Sequence, residues 1–565
     1  MKSLKKIILT FCCLALSGIL FFSCDDASGN SGEDSLSSSK SITSFGFASE
    51  EADGTVSTAD LTVCVTIPSD SDKSLLTPTI VHTGVSISPA SGTEQDFTES
   101  VTYTVTAEDG TTAEYLVTVA LADEADEADI LDLTMQLGED ESSMNFCWFS
   151  NDTDATSAVV QIAPKSAMTG FSFPSSTADS FSGTVVTVEI SEEEESSDPP
   201  PRSDDTTEET TEETDDTSDD DSDETETYLS CEVSATGLSA GTEYVYRIGD
   251  GTVFSDMYSF TTGNTDSFSF ILVGDPQIGS DDVDTDQAGW EATVTAADTN
   301  TAPDFILSMG DQVNTSTSEE EYAAFFAAEE LSSLPFVSCI GNHDTDELYD
   351  HHFNTPNESE DYGVTEDVGG DYWFTYGNAL FMVLNSNNTS TTTHDYFMDE
   401  AITAAGDDIT WKFVIFHHSI YSTASHAEDT DILERREYLG DSLDTYDIDV
   451  AFMGHDHVYC RSYHMINEEA QDTTTTTIDG VDYVEDPEGT LYLTLNSSSG
   501  SKYYDIMDDS EWTGDYTYRA FYDQSYEANY SHVELTDTTF TVTTYASDDN
   551  SVVDTYSIYK SGSDS

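Results

Sequence analysis

The sequence has 565 residues, of which 37% are hydrophobic. This length is too great for one hydrophobic core, so several domains are expected. Asp and Glu number 113 against 15 Lys and Arg, which gives a formal net charge of -98 at pH 7. Such a charge repels nucleic acids and anionic membrane surfaces, so no nucleic-acid binding is expected, and any phosphate site needs a local positive source such as a metal ion. Because the acidity runs along the whole chain, it favours a surface adapted to high salt, with acidic linkers on an ordinary acidic surface as the alternative.

The chain begins MKSLKKIILTFCCLALSGILFFSC, where three lysines precede an apolar stretch that ends at Phe22. This pattern is typical of an export signal, here over residues 1–23. Because FFSC resembles a bacterial lipoprotein cleavage box, we expect Cys24 to be lipidated and to anchor the protein in the cell envelope. Cleavage to a soluble secreted protein, or retention as an uncleaved anchor, are the alternatives.

Two regions that alternate apolar and polar residues follow a polar tether at 24–40. The first, residues 41–121, predicts a small Ig-like β-sandwich, with a hairpin at Asp109-Gly110. The second, residues 125–263, predicts another sandwich, interrupted at 192–227 by an acidic insert without apolar content that should be disordered. No Cys-x-x-Cys metal pattern is present, and two cysteines of the second sandwich, Cys147 and Cys231, either pair or stay free.

From Ser267 onward, strand-like runs alternate with helical stretches such as QAGWEATVTAAD and EEEYAAFFAAEELSS. This alternation predicts an α/β domain over residues 267–565. Nearly every apolar run ends in a polar cluster: GD at 274–275 and 310–311, GNHD at 341–344, HH at 417–418 and GHDH at 454–457. Ligands bind at the carboxyl ends of strands in such folds, so these clusters should converge although they are far apart in the sequence.

The residue types in these clusters suit a metal centre. Asp, Asn and His together provide oxygen and nitrogen donors, a mixture that suits metals such as Zn, Mn or Fe. A structural zinc site would instead use Cys and His. The donors are too many for one ion and indicate two ions about 3.5–4 Å apart, an arrangement that clamps a phosphoryl group for in-line displacement. A lone His-x-His is usually incidental, and Asp after Gly is often a turn or a helix cap, but five such clusters in order are hard to explain in that way.

The order GD, GD, GNHD, HH, GHDH resembles that of the calcineurin-like metallophosphoesterase superfamily, over about residues 267–545. Residues 237–263, GLSAGTEYVYRIGDGTVFSDMYSFTTG, are similar to the fibronectin-III-like domain that precedes the catalytic domain of purple acid phosphatases. The segments VAFMGHDHVYCRSY and HHSIYSTASH fit that branch too. The resemblance implies a four-layer αββα domain, two divalent or trivalent metal ions (Fe, Zn or Mn), and acid-phosphatase-like hydrolysis of phosphate monoesters.

By position, the resemblance implies six metal ligands: Asp275, Asp311, Asn342, His417, His455 and His457. Of these, the carboxylate of Asp311 is implied to bridge the two ions. It also implies that His343 stabilises or protonates the leaving oxygen, that Asp344 orients His343, and that His426 faces the substrate. His418 competes with His417 for one ligand position, and the pattern H-x-x-x-Tyr421 favours His417.

The chain departs from the family pattern at two positions. Asn314 in GDQVN stands where purple acid phosphatases have tyrosine, so no tyrosinate-to-iron colour is expected and the preference for iron is in question. Gln277 in GDPQ stands where many members of the superfamily have a ligand histidine, and it either lends its carbonyl oxygen to a metal or only forms a hydrogen bond.

Other functions and other loops stay open. The alternatives are a phosphodiesterase or nucleotidase of the same fold, and a non-catalytic surface protein that binds through its sandwiches. Residues 497–505, SSSGSKYYD, contain Lys502, for which phosphate contact is an alternative to the expected flexible loop. His351 and His352 are expected in a surface loop, with pocket lining as the alternative.

Overall fold

The computed structural model describes residues 37–49, 52–58, 61–67, 71–121, 130–168, 173–191, 225–365, 368–390, 392–508, 510, 512–514 and 516–562. The expected signal, Cys24, residues 24–36 of the tether and residues 192–224 of the acidic insert lie outside these ranges. The chain divides into two compact units, residues 1–123 and 124–565. Within the described ranges, no helix combines the length and the apolar character that crossing a membrane requires.

The described residues of the first unit form two sheets around an aromatic core. Their strands are β1 Ile42–Phe47, β2 Ala52–Asp53, β3 Thr55–Ser57, β4 Thr62–Ile67, β5 Thr79–His82, β6 Ser86–Ser88, β7 Val101–Thr106 and β8 Thr112–Leu121. The sheets have the orders β2-β1-β5 and β3-β4-β8-β7-β6. Phe45 of one sheet and Tyr103 of the other meet with ring centroids 5.4 Å apart. The hairpin at Asp109-Gly110 is confirmed, because β7 and β8 pair antiparallel and Gly110 takes a φ of 82°.

The second unit begins with a sandwich whose described residues form two four-stranded sheets. Its strands are β9 Ile130–Leu137, β10 Ser143–Ser150, β11 Val159–Pro164, β12 Asp179–Ser182, β13 Thr184–Ser191, β14 Thr225–Thr236, β15 Glu243–Gly249 and β16 Tyr258–Thr261. The sheet orders are β13-β14-β10-β9 and β12-β11-β15-β16. Residues 225–227, predicted as the end of the disordered insert, instead begin β14. Their side chains are exposed, so pairing with the β13 backbone, with Thr225 opposite Ser191, extends this strand.

Cys147 and Cys231 do not pair; both are free thiols. In the antiparallel β10–β14 pair, Cys147 lies opposite Glu232 and Cys231 lies opposite Trp148. Because successive residues of a strand point to opposite faces, the two sulfur atoms lie on opposite sides of the sheet. Cys231 joins the sandwich core, while the Cys147 thiol donates a hydrogen bond of 3.0 Å to the carbonyl of His351.

The rest of the second unit contains two large sheets and five described α-helices. The strands are β17 Ser267–Val273, β18 Phe305–Ser308, β19 Phe336–Val337, β20 Tyr372–Tyr376, β21 Ala379–Leu384, β22 Trp411–Phe416, β23 Val450–Met453, β24 Tyr459–Ile466, β25 Glu469–Ala470, β26 Thr474–Ile478, β27 Val481–Glu485, β28 Thr490–Thr494, β29 Arg519–Asp523, β30 Asn529–Thr536, β31 Thr539–Ala546 and β32 Val552–Tyr559. The helices are α1 Val283–Thr301, α2 Glu319–Phe326, α3 Glu347–His352, α4 Thr393–Ala405 and α5 Thr430–Thr445. One sheet has the order β19-β18-β17-β30-β31-β32-β27-β26 and the other β20-β21-β22-β23-β28-β24-β25, with β29 added at β24.

The two large sheets stack face to face, with helices on both outer sides. Phe270 of the first sheet lies 5.5 Å from Phe381 and 6.2 Å from Phe413 of the second, between ring centroids. Helices α1 and α2 cover the outer face of the first sheet, and α4 and α5 cover that of the second. The predicted αββα arrangement is therefore confirmed. It brings β17, β18 and β19, which are mutually parallel, beside the parallel set β21, β22, β23 and β28.

The helix predicted from EEEYAAFFAAEELSS is shorter than expected. Helix α2 ends at Phe326, and a 3-10 turn follows at Glu329–Ser332. The indole N–H of Trp290 donates a hydrogen bond of 2.9 Å to the carbonyl of Phe325. This bond satisfies one of the carbonyls that a helix leaves unpaired at its last turn, which favours the end of the α-helix here.

The second sandwich packs directly on the helical layer beside α3. His352 is buried, not on a surface loop as expected, and its ring lies 4.3 Å from that of Phe149 and 4.5 Å from that of Tyr322. Its Nε2 lies 3.0 Å from a carboxylate oxygen of Glu319. The carbonyl of His351 accepts hydrogen bonds from sandwich side chains. The apolar side of α3 explains the error, because a histidine pair beside acidic residues looks like a solvated loop until its tertiary partner is known.

Candidate metal centre

The polar clusters predicted to converge do so at the carboxyl ends of the parallel strands. Asp275, Asp311 and Asn342 follow β17, β18 and β19 of the first sheet. His417 and His455 follow β22 and β23 of the second. Because the two sheets stack with these ends on the same side, residues separated by 180 positions meet.

The backbone is bent sharply at the residues that face this site. Five of them adopt a positive φ, namely Asp275 at 40°, Gln277 at 39°, Asp311 at 52°, His455 at 70° and His457 at 42°. Such left-handed conformations at residues other than glycine cost about 1–3 kcal/mol each and cluster where function requires them. The strain turns each side chain inward immediately after its strand ends.

Two glycines leave the space that the carboxylates occupy. A Cβ atom at Gly341 would lie 2.1 Å from Asp311 Oδ1, and one at Gly454 would lie 2.7 Å from Asp275 Oδ2. Real Cβ atoms do not approach other atoms so closely, so any side chain at either position would displace a carboxylate. The close approach of the carboxylates therefore requires glycine at the first position of both the GNHD and the GHDH cluster.

His417 is at the centre of the cluster. Its Nδ1 donates a hydrogen bond of 2.9 Å to the carbonyl of Met309, which leaves Nε2 as the atom that faces the site. Nε2 lies 3.0 Å from Asn342 Oδ1, 3.1 Å from His455 Nδ1 and 3.3 Å from Asp311 Oδ2. Asp275, Asp311 and His417 offer donor atoms that all lie within 4.8 Å of one another. A histidine fixed through one nitrogen by a carbonyl is typical of metal ligands, because that bond orients the other nitrogen.

His457 and Gln277 border the same cluster. His457 Nδ1 donates a hydrogen bond of 3.0 Å to the carbonyl of Lys502, and its Nε2 lies 3.7 Å from Asp275 Oδ1. The Gln277 amide nitrogen lies 3.3 Å from Asn314 Oδ1, while its buried carbonyl oxygen has no hydrogen-bond partner among the described residues. An unpartnered buried oxygen is costly unless a ligand fills its place. This side chain therefore fits a metal site better than a purely structural one.

The electrostatics of the cluster call for added positive charge. Burial, together with repulsion from the nearby Asp311 and Asp344, raises the pKa of Asp275 to about 8, although His417 acts in the opposite direction. Burial likewise raises the pKa of Asp344 to about 7. Burial also tends to raise the pKa of Asp311, but the charges and hydrogen bonds of His417 and His343 outweigh it and hold that pKa low. In the described part of the chain, none of these three carboxylates is paired with a lysine or arginine, so metal ions are the natural source of the missing charge.

The predicted catalytic residues surround the cluster, with one correction. His343 Nδ1 donates a hydrogen bond of 2.6 Å to the carbonyl of Asn314, and its backbone N–H donates one of 2.9 Å to Asp311 Oδ1. The Asn314 carbonyl therefore orients this ring, and the prediction that Asp344 does so is wrong. The Asp344 carboxylate instead accepts backbone hydrogen bonds from Asp311, Gln312 and Gly341, at 2.7 to 3.0 Å, and closes the loops that carry the cluster.

The rings of His426 and His418 both lie beside that of His455. The His426 ring centroid is 4.8 Å from that of His455, and its Nδ1 donates a hydrogen bond of 2.7 Å to the side chain of Asp429. His418 Nδ1 is held 2.8 Å from the hydroxyl of Ser386. Of the two adjacent histidines, it is therefore His417 whose free nitrogen enters the cluster.

The loop at 497–505, expected to be flexible, packs against the centre. The Ser497 hydroxyl donates a hydrogen bond of 3.0 Å to the carbonyl of Asp275, and the Ser499 hydroxyl bonds the carbonyl of Pro276. The ring of Tyr504 lies 5.2 Å from that of His457 and 5.0 Å from that of His426. Sequence reasoning missed Tyr504. The signal was available in the apolar run TLYLTL, another strand that ends in a polar cluster.

Family models match three parts of the chain. Residues 268–459 match the model described as calcineurin-like phosphoesterase, residues 131–262 match that of the purple acid phosphatase N-terminal domain, and residues 42–119 match that of "SGBP, N-terminal". The chain thus contains a calcineurin-like phosphoesterase domain preceded by a purple-acid-phosphatase N-terminal domain, and the resemblance of the motifs is confirmed.

The whole proteins that resemble this chain share low sequence identity with it. Two uncharacterized proteins of Mycobacterium tuberculosis, from strains H37Rv and CDC 1551, are each 24% identical over 313 residues, which is 47% of this chain and 57% of theirs. The chain thus aligns with little more than half the length of these relatives. The structure of purple acid phosphatase PPD1 from yellow lupin seeds is similar in fold, with a TM-score of 0.56 and 15% identity over 86% of this chain and 81% of that one.

Proposed function

We propose that this protein is a metal-dependent phosphoesterase that hydrolyses phosphate monoesters at a dinuclear centre. One observation carries the proposal: six side chains from both sheets meet in a largely buried cluster, and in the described residues no lysine or arginine is paired to its carboxylates. The calcineurin-like domain in the same residues supports the reaction class. The adjoining purple-acid-phosphatase N-terminal domain favours the hydrolysis of phosphate monoesters over that of diesters.

The donor set fits two metal ions that share Asp311. Asp275 and His457, with the carbonyl oxygen of Gln277, would hold one ion, and Asn342, His417 and His455 would hold the other. Asn314 stands near Gln277 with no phenol group, so a purple tyrosinate complex is not expected. Carboxylate, amide and imidazole ligands suit Mn, Zn and Fe.

The protein's own groups then position and protonate the substrate. When bound, the ions supply Lewis acidity that activates water near neutral pH and offsets the charge of the phosphoryl oxygens. His343, oriented by the Asn314 carbonyl, keeps its second nitrogen free to give a proton to the departing alkoxide. His426, oriented by Asp429 and partly exposed, is placed to donate a hydrogen bond to the phosphoryl group.

The test is a substrate and metal screen of the purified full-length protein. The metal-free protein is loaded with Mn or Zn and assayed with p-nitrophenyl phosphate, its bis-diester and nucleotides. We expect the monoester to be hydrolysed fastest, without purple colour, and activity to disappear with a chelator and return with metal. Preference for the diester or for nucleotides would favour the phosphodiesterase or nucleotidase alternative. Failure to hydrolyse any ester would favour the non-catalytic binding protein.

We also propose that the protein is exported and anchored through a lipid on Cys24. The proposal depends on the basic and apolar pattern of residues 1–23 and on the FFSC box. Labelled palmitate fed to expressing cells should enter the protein and should not enter the Cys24→Ser variant. An unlabelled protein in the culture medium would favour simple secretion.

A further inference from the structure

A groove opens beside the predicted metal ligands. Its volume is about 830 Å³, and three of its lining residues are tyrosines: Tyr503, Tyr504 and Tyr526. Tyr504 forms the boundary with the centre, because its ring contacts the rings of His426 and His457. We refer to this feature as the tyrosine groove. A group bonded to a phosphoryl group at the centre would pass Tyr504 on entering it.

Gln524 ties the tyrosine groove to the centre. Its amide nitrogen donates hydrogen bonds of 2.8 Å to the carbonyl of His457 and 2.7 Å to the carbonyl of Tyr504. Its oxygen accepts hydrogen bonds of 3.2 Å from the side chain of Asn496 and 3.1 Å from the backbone of Tyr526. The Gln524 side chain, with all its hydrogen bonds made, therefore fixes the positions of His457, Tyr504 and Tyr526 relative to one another.

The lining is aromatic, apolar and acidic. Ile506 and Met507 add apolar surface to the tyrosines, and the charged residues of the lining are Asp505 and Asp508. Neither lysine nor arginine belongs to it; Lys502 lies at its edge, with Nζ 5.1 Å from the ring centroid of Tyr504. Tyrosine faces favour flat ring systems, and carboxylates repel anionic groups. The groove therefore suits neither a second phosphate nor a carboxylate.

Resting on the phosphoesterase function proposed above, we propose that the tyrosine groove receives the alcohol part of the substrate. It selects esters whose leaving group is a flat ring without negative charge. Tyr504 and Tyr526 are the specificity-determining residues: they contact the leaving group and not the reacting atoms. Asp505 and Asp508 exclude leaving groups that carry a second anion.

The first test compares 2-phenylethyl phosphate with ethyl phosphate, two esters of alcohols with similar acidity, so that a rate difference reports contact with the ring. With the metal-loaded protein, we expect kcat/KM for the phenylethyl ester to be about tenfold higher, the size of a ring-stacking contact. Tyr526→Ala should lower that ratio several-fold through KM, and Tyr526→Phe, which keeps the ring, should retain most of it.

Tyr396→Ala is the matched control. Tyr396 lies on helix α4 and is 60% exposed, against 56% for Tyr526. The Tyr396→Ala substitution therefore removes a similarly exposed ring away from the tyrosine groove. The ratio should be unchanged in this variant. A ratio near one in the wild type, or a high ratio that survives Tyr526→Ala, would overturn the inference while phosphoesterase activity stands. If the wild type hydrolyses neither ester nor p-nitrophenyl phosphate, the proposed function itself fails, and the groove inference falls with it.

A second comparison tests the acidic lining. A carboxylate at the para position of the phenyl ring of 2-phenylethyl phosphate adds negative charge without changing the acidity of the leaving alcohol. We expect this acid to be hydrolysed at least fivefold more slowly than its parent, and Asp505→Asn combined with Asp508→Asn to reduce the difference. Equal rates for both esters in the wild type would contradict the charge selection.

Discussion

Two groups of aspartates in this chain behave in opposite ways. Asp72, Asp96 and Asp109 lie in exposed turns, where each accepts hydrogen bonds from the hydroxyl and the backbone N–H of a serine or threonine two residues later. Those hydrogen bonds, the hydroxyl bond first, lower the pKa of each carboxyl. These groups are charged, solvated and satisfied.

Asp275 and Asp344 are buried, and burial raises their pKa. In a chain with 113 acidic residues, acidic clusters by themselves therefore indicate nothing about function. What distinguishes the site is that several carboxylates are buried together without a lysine or arginine, because the cost of such a cluster is offset when a cation binds.

The sharpest way to test the comparison is to remove one aspartate of each kind. Asp311→Ala should lower phosphatase activity by about three orders of magnitude, because the shared ligand and its charge are lost. Metal content should fall with it. Asp109→Ala should leave activity and metal content unchanged. An active Asp311→Ala variant with a full metal complement would contradict the assignment.

The next largest effect is expected at His343. His343→Ala should lower kcat by about two orders of magnitude for alkyl esters, whose leaving oxygen needs a proton. The loss should be much smaller for p-nitrophenyl phosphate, because nitrophenolate departs without one. Equal losses for both substrates would show that His343 holds the phosphoryl group and does not protonate the leaving group.

A pair of glycines gives a test of the space around the carboxylates. Gly341→Ala places a Cβ within 2.1 Å of Asp311 Oδ1 and should weaken metal binding by about 10- to 100-fold. At Gly440 in helix α5, a Cβ meets nothing within 4 Å, so Gly440→Ala should bind metal normally and gain about 0.5–1 kcal/mol of stability from helix propensity. Isothermal titration with Mn and thermal melts measure both effects. Unchanged metal affinity in Gly341→Ala would show that the loop can relax.

The smallest effect concerns buried carboxylates away from the centre. Burial raises the pKa of Asp132 and of Glu319 to about 7, beside His352. The folded protein thus holds protons that the unfolded chain has released above about pH 4, so stability falls as the pH rises from about 4 and levels off only above about 7. The pKa of His352 is lowered by burial to about 4, so its own stability loss begins only as the pH falls below about 6.5.

Glu319→Gln should therefore raise the free energy of unfolding more at pH 8 than at pH 6.5, by roughly 1 kcal/mol, and the melting temperature should rise accordingly. The amide oxygen can still accept the hydrogen bond of His352, so packing is retained. Melts at the two pH values, with and without metal, measure the increment. An equal gain at both would show that the carboxyl is ionised throughout this range.

The fold was largely predictable because the strands carry their signals locally. Alternating runs and the Asp109-Gly110 turn predicted the strands of the first unit, and the apolar runs after Ser267 predicted the parallel strands. Strand β14 was predicted too short, because residues 225–227 are exposed and join the sheet only through the β13 backbone. The free state of Cys147 and Cys231 depends on register, which no local pattern contains.

The candidate metal-binding cluster was predictable because its residues lie shortly after strand ends. The orientation of His343 was not, because a backbone carbonyl at Asn314 provides it and carbonyls leave no trace in a sequence. Tyr504 was missed for a related reason: its loop has the composition of a flexible one, and it is held against the centre by hydrogen bonds to backbone carbonyls, such as those from Ser497 and Ser499 to Asp275 and Pro276.

The most direct test of the central claim is anomalous diffraction from crystals of the full protein loaded with Mn. The account predicts two peaks about 3.5–4 Å apart, with Asp311 between them and His417 on one. A single peak, or manganese bound only at the exposed aspartate turns, would contradict it.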